Sequence, residues 1–464
     1  MSGLSLGAAE LGGFEMRGIG INLLRALEAL ADVINPDPDY WTIGRVGALL
    51  VGNHEILAAG NRWGVDEGAA GEAARQATLT HDGRCSLIEL LRTRHSEEPH
   101  PVLQLTYGQC VGSKANVFVS FAYLMRFRDL VNVAEGYLRK LEGAEESTFF
   151  WFDLLVNNQW SASEKPFTFW TGTFTNAIKQ IGTVLMVMSP WDDPVTLKRA
   201  WCVFEVYACV STGSRFEVGM TDEENARFLE DILDEPERYY KMLGTISSAK
   251  ATAYLPADRD AIFHTIEHTV GFTEMDSMVL RTLEAWMERE LRKIISAKEA
   301  AGEQGAELEA GQWKQALGRV LMDGGKYAEA LPLLEECLKL STRTLGPEHP
   351  DTLSSINNLA MLYESQGEYA KALPLYEECL DTRSRVLGRD HPDTLTTIYN
   401  LSMFHMEQGR LDEALELAIR CKEGCESVFG VDHKESQDAR ELLARIERRQ
   451  PGSDSSRFCL CFCF

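Results

Sequence analysis

The spacing of apolar positions changes along this chain of 464 residues, and the changes divide it. From 113 to 248, short apolar runs alternate with stretches of helical period. NVFVSFAY (116–123), TFFWFDLL (148–155), TVLMVMS (183–189) and RFEVGM (215–220) read as strands. Between the first two, Leu130, Val131, Ala134, Tyr137, Leu138 and Leu141 fall three and four apart, giving residues 128–141 one apolar helical face. A short helix is expected near 174–181. Another should follow SPWDD, with Asp193 as its cap and Pro194 in its first turn. Strands alternating with helices predict a parallel sheet covered on both faces.

Further along, the pattern repeats itself. ALPLLEECLKLSTRTLGPEHPDTL (330–353) lies over ALPLYEECLDTRSRVLGRDHPDTL (372–395) at an offset of 42 residues. The same offset carries Gly325 to Gly367 and Gly409, Ala330 to Ala372 and Ala414, Cys337 to Cys379 and Cys421, and His349 to His391 and His433. Each unit reads as two helices joined at a glycine. A Gly-x-x-His-Pro-Asp-Thr loop then stops the second helix and supplies an aspartate cap to the next. One helical pair cannot bury its own apolar face, so the pairs must stack into a solenoid. Over 310–435 the pattern resembles the tetratricopeptide repeat in its kinesin-light-chain-like form, with SQDARELLARIERR (436–449) as a charged capping helix. That resemblance implies a groove for partner peptides, and taken alone it implies a cargo adaptor of the kinesin-light-chain kind. The long heptad stretches of a kinesin-binding coiled coil are missing. The repeated cysteines read as small packing residues and the histidines as turn residues. Equivalent atoms of stacked repeats stand on the order of 10 Å apart, too far for one metal ion to bridge.

In the sheet region, VFVSF (117–121), WFD (151–153), NQW (158–160), SPW and AWCVFEV (200–206) resemble a Toll/interleukin-1 receptor (TIR) domain of algal and protist type, over 115–220. The resemblance implies a flavodoxin-like fold, self-association and, in some members, hydrolysis of NAD by a glutamate of WCxxE type. Here that glutamate is Glu205, and Phe121, Trp201 and Cys202 are the implied nucleotide-lining residues. NAD would be a substrate; no bound cofactor is expected. The residues themselves leave two roles open. Glu205 lies four positions after Trp201 and three after Cys202, so it shares a face with apolar neighbours rather than with Lys198 and Arg199. A carboxylate so placed can stabilise the positive charge of nicotinamide riboside as its glycosidic bond breaks, or it can serve as a structural acid accepting backbone N–H bonds. The chain departs from the enzymatic pattern after VFVSF, where AYLMRFRD displaces the basic positions to Arg126 and Arg128. Neither GxGxxG nor a Walker sequence is present.

Composition narrows the classes further. Seventy acidic against 46 basic residues leave a formal charge of −24, which repels nucleic acid and anionic lipid. Eleven cysteines without CxxC pairs, and an opening without a basic, apolar leader, predict reduced thiols and a cytoplasmic location. Apolar runs such as VLMVM are too short to span a bilayer. His264-Thr265-Ile266-Glu267-His268 matches the HxxEH of inverted zinc peptidases, but no third ligand follows on a later helix. Cys459, Cys461 and Cys463 in the tail RFCLCFCF fit a loose prenylation spacing, which would add membrane association. The expected organisation is a helical N-terminal region without assigned role (1–112), the TIR-like α/β domain (113–248), a helical bridge and linker (249–309), the solenoid (310–450) and the tail (451–464). The fold class is α/β plus an α-solenoid, and the leading function is a protein-interaction scaffold or signalling adaptor.

Overall fold

The computed structural model describes residues 19–34, 97, 114–122, 124–141, 147–152, 167–253, 256–301 and 305–450. They form two compact units: 1–232 with 238–287, and 233–237 with 288–464. The tail cysteines and Asp153 lie outside the described residues.

The first unit is built on four parallel strands, β1 (Val117–Ser120), β2 (Phe150–Trp151), β3 (Thr183–Val187) and β4 (Arg215–Gly219), in the order β2-β1-β3-β4. Successive residues of β1 are all buried, as are Val184 to Val187 of β3, so both faces of the sheet are covered. The helices that cover it are α1 (Ile21–Ile34), α2 (Phe127–Arg139), α3 (Phe167–Ile181) and α4 (Ala200–Thr212). α3 lies on β1 and β3, and α4 lies beside it on β3 and β4. Phe118 and Trp151 stack with ring centroids 4.7 Å apart, and Phe174 meets both edge-on at 6.1 and 5.8 Å. Such ring pairs add about 0.5–1.5 kcal/mol each beyond their burial.

Three features depart from the sequence reading. The N-terminal helix α1 packs on α2, and Ile19 pairs with Phe150 through bonds of 2.7 and 2.9 Å, so this segment extends the sheet unit. Arg25–Glu135 and Arg128–Glu28 ion pairs, at 2.7 and 3.1 Å, join the two helices. Pairing partners so distant in the chain leave no local pattern. Second, among the described residues of the strand expected over 148–155 only Phe150 and Trp151 form strand, 153–155 lying outside the described residues, and the helix expected near 174–181 begins at Phe167. Third, Asp193 does not cap α4. It pairs with Lys198 at 2.5 Å, while Val195–Lys198 forms a single 3₁₀ turn. The first N–H of α4, on Ala200, donates instead to the Thr252 carbonyl at 2.8 Å. The SPW corner itself is anchored by α5 (Asp222–Asp234): Trp191 is fully buried, its backbone N–H donates to Glu224 at 2.8 Å and its indole to Asp231 at 3.1 Å.

After α6 (Glu237–Leu243) and α7 (Pro256–Thr269) comes the 30-residue α8 (Phe272–Ala301). The division between the units falls inside α8, between Met287 and Glu288. The second unit then runs α9 (Ala306–Asp323), α10 (Tyr327–Leu345), α11 (Pro350–Ser365), α12 (Tyr369–Val386), α13 (Pro392–Glu407), α14 (Leu411–Phe429) and α15 (Lys434–Arg449). Helices within a pair turn at Gly325, Gly367 and Gly409, whose φ values of 73°, 76° and 71° are left-handed and cheap only for glycine. Between pairs, Thr352, Thr394 and Ser436 hydroxyls donate to the carbonyls of Gly346, Gly388 and Gly430 at 2.7–2.9 Å. His349 and His391, not the aspartates, are the caps of α11 and α13: each Nδ1 accepts the N–H of the residue two positions on, at 3.2 Å.

Close approach between elements is tightest at Gly219. A Cβ added there would stand 2.3 Å from Val133 Cγ1 on α2, well inside contact distance. Gly219→Ala should therefore destabilise the sheet unit by about 1–3 kcal/mol, the cost of overpacking. Val133→Ala in the same chain should recover part of that loss. Urea unfolding followed by tryptophan fluorescence reads both effects, and an unchanged midpoint for Gly219→Ala would contradict this packing.

Candidate protein-interaction groove

In the second unit the first helices of successive pairs, α9, α11, α13 and α15, touch one another, whereas contacts along the row of second helices are sparser. The first helices therefore form the inner, shorter side of the stack. Positions one repeat apart line up across it. One row runs Gln315, Asn357, Tyr399; the next runs Arg319, Met361, Met403, Arg445.

Side chains bridge these rows between helices. Asn400 donates to Asn357 Oδ1 at 3.3 Å and to Met361 Sδ at 3.5 Å, which Asn357 Nδ2 also reaches at 3.5 Å. Arg445 approaches Met403 Sδ at 3.9 Å, and Ser355 donates to Gln315 Oε1 at 3.0 Å. Asn400, Tyr399, Met361 and Met403 are half-buried, open on one side. Amides provide donors and acceptors for a passing backbone, thioethers adapt to varied apolar side chains, and Tyr399 adds a flat ring.

Below this inner face, contacts repeated with the sequence hold the pairs together. Cys337, Cys379 and Cys421 are buried, and their thiols point to the carbonyls of Gly311, Leu353 and Leu395 at 3.2, 3.3 and 3.7 Å. Burial pushes the Cys337 thiol up to about 12, so these sulfurs pack rather than react. Two groups have no counterpart in the other repeats and were not legible from the pattern. Arg383, 3% exposed, replaces Ser341 and Cys425 of its neighbours. It donates to the Asp393 carbonyl, Thr397 Oγ1 and Ser354 Oγ, each at 2.8 Å, tying α12 to α11 and α13. Tyr376, fully buried, donates to Glu364 at 2.6 Å. Burial raises the Glu364 carboxyl to about 7, with Glu407 adding to the rise and the Tyr376 bond opposing it.

Residues 310–384 and 356–403 match one tetratricopeptide-repeat family model, and residues 394–435 match a second. Residues 310–435 are tetratricopeptide repeats. No curated protein matches the chain. Among solved structures, the chain is similar to a single-residue variant of a Podosopora anserina protein named for a kinesin light chain with nearly identical TPR-like repeats. The two are 24% identical over 36% of this chain and 77% of that one, with a TM-score of 0.31. A second structure of that name from the same organism is 20% identical over 42% and 88%, with a TM-score of 0.30. BtubC (BKLC) from P. vanneervenii is 16% identical over 48% and 87%, also at 0.30.

The residues singled out in the sheet unit are brought together in part. Cys202, in the first turn of α4, directs its thiol to the Phe121 carbonyl just past β1 at 3.3 Å. Glu205 follows one turn later and is 8% exposed. Trp201 turns towards α7: its indole donates to Asp258 at 3.3 Å, and its ring meets Phe174 edge-on at 5.3 Å. Arg126 and Arg128 are engaged by Asp129 and Glu28 at 2.8 and 3.1 Å. A separate cavity of about 190 Å³ lies between α2, β4 and α5, with Tyr137, Lys140 and Asn225 in its wall.

Glu364 gives the repeats a pH dependence of defined sign. Its folded value stands above the ordinary 4.5, so the folded state holds the proton more tightly than the unfolded chain. The stability this supplies is complete below about pH 4.5 and is lost as pH rises through about 7. Glu364→Gln should remove that slope, so the variant gains in melting temperature relative to the wild type between these limits. Parallel melting-temperature profiles for the two proteins would contradict the burial of an ionisable Glu364.

Proposed function

We propose that the chain is a protein-interaction scaffold whose repeats hold an extended partner peptide along the inner face of α9, α11, α13 and α15. The observation that carries this reading is the bridged set Asn357, Asn400 and Met361, with Tyr399 and Met403 in the same rows. Tetratricopeptide repeats bind protein partners in general, and the half-buried Asn400 amide and the Met361 and Met403 thioethers suit backbone hydrogen bonds with tolerant apolar contacts. Among the described residues no helix is long and apolar enough to cross a membrane. A cytoplasmic signalling adaptor accords with the acidic composition and is the context in which we place the scaffold. A kinesin-light-chain-like cargo role is a narrower version of this proposal, which binding to kinesin heavy chain would support.

A second reading concerns the sheet unit: association through a TIR-like, flavodoxin-type domain, with hydrolysis of NAD by Glu205. It is favoured by the β2-β1-β3-β4 parallel order, which matches the start of a flavodoxin-like sheet. The meeting of Cys202 with Phe121 beyond the end of β1, one turn from Glu205, also supports it. Near-complete burial of that carboxylate fits the structural role equally, so the scaffold is the stronger reading.

Peptides selected from a random display library on the full chain should bind about tenfold or more weakly to Tyr399→Glu and Met403→Lys. They should bind unchanged to Ile419→Lys, a variant of an exposed position on a second helix. Equal binding to all three would place the partner elsewhere. For the enzyme, nicotinamide release from NAD by clustered protein should be abolished in Glu205→Gln. Absence of release from the wild type, or its survival in the variant, rejects catalysis and leaves the scaffold untouched.

A further inference from the structure

The HTIEH segment lies on α7, where His264 and His268 are both exposed and face the same side of the helix. Their rings stack, with centroids 4.0 Å apart and planes 18° from parallel. His268 Nδ1 lies 2.8 Å from the carbonyl oxygen of His264. A carbonyl can only accept, so Nδ1 carries the proton, and in the neutral imidazole the lone pair is on Nε2. Histidines that bind metals are commonly fixed in this way, one ring nitrogen donating to a backbone carbonyl while the other coordinates.

We propose that His264 and His268 form a two-imidazole site for a divalent transition-metal ion, preferring Cu²⁺ over Ni²⁺ and Zn²⁺. Metal–nitrogen bonds of about 2.0–2.1 Å place two nitrogens in adjacent coordination positions about 3 Å apart. To share one ion the two rings must turn out of their stack until a nitrogen lone pair of each points to a common centre, a rotation open to exposed side chains. The metal preference follows from neutral imidazole donors and the ordinary order of divalent-ion affinity. Among the described residues no three His, Cys, Asp or Glu converge, so the proposed protein ligand set is the two imidazoles. This differs from the HxxEH peptidase arrangement, which requires a third protein ligand and a glutamate base. The ion spans one turn of α7, a helix that packs against α4 and holds Trp201 through Asp258. Because the two imidazoles stand one turn apart only when the helix is formed, binding stabilises the folded state.

The test is calorimetric titration of Ni²⁺ into the full reduced chain, comparing wild type with His264→Ala, His268→Ala and the double variant. His349→Ala serves as a control away from α7. The proposal expects one saturable site whose affinity falls by about tenfold or more in each single variant and is unchanged in the control, the size of loss seen when a metal site is disturbed. Cu²⁺-loaded wild type should show hyperfine coupling to two imidazole nitrogens in electron paramagnetic resonance, reduced to one in His268→Ala. Absence of saturable Ni²⁺ binding by the wild type, or unchanged affinity and stoichiometry in the double variant, would overturn it. Both substitutions are on exposed positions, so circular dichroism should be unaltered.

Discussion

The constraint on which the repeats depend is that a two-helix pair exposes an apolar face that only another pair can cover. α9 to α15 answer it by stacking at a fixed interval, and every regular feature of the second unit follows from that interval. Left-handed glycines at equivalent turns set the angle within each pair. Buried cysteines, small enough to let the partner helix of the same pair approach and able to point a thiol at its carbonyl, set the distance between the two helices of each pair. The same small-residue logic operates at Gly318, where an added Cβ would meet Leu334 at 2.6 Å. Register then becomes function: with pairs in phase, side chains at equivalent positions form continuous rows along the inner face.

The middle of the array is where this regularity is broken to purpose. Arg383 brings a cation into the junction of α11, α12 and α13, where its Nη1 and Nη2 donate to one carbonyl and two hydroxyls rather than to a carboxylate. Hydrogen bonds from a charged donor are stronger and more directional than neutral ones, so this group fixes the relative placement of three helices. Tyr376, donating to Glu364, ties α12 to α11 near the turn within that pair. The inner-face bridge of Asn357, Asn400 and Met361 belongs to the same pair of repeats that these buried groups lock. A binding surface held on rigid helices keeps its geometry when empty, which lowers the ordering cost of capturing a flexible peptide.

Much of this was legible in the chain because it rests on short-range rules. The helical period, the repeated glycines and the recurring cysteines determine pairs, turns and packing, and NVFVSF and TVLMVMS announced β1 and β3. What was not legible depends on distant partners. Ile19 joins Phe150, Thr252 supplies the carbonyl that receives the first N–H of α4, and Asp193 goes to Lys198 instead of capping a helix. The histidine caps were missed because the aspartate two positions on fits the usual preference, whereas the imidazole reaches that N–H first. For the groove, SSINNLAML against TTIYNLSMF displayed the recurring amide and methionine. That Asn400 reaches across to Asn357 and Met361 is a property of stacking that one repeat read alone does not reveal.

The central claim, that partners are held on the inner face of the first helices, is tested most directly by site-specific photo-crosslinking in the native cell. A photoreactive phenylalanine analogue placed at Tyr399, Met361 or Met403 should yield discrete adducts with a partner polypeptide, while the same analogue at Ile419 or Val386 on the second helices should yield none. Adducts formed only from the second-helix positions would contradict the account.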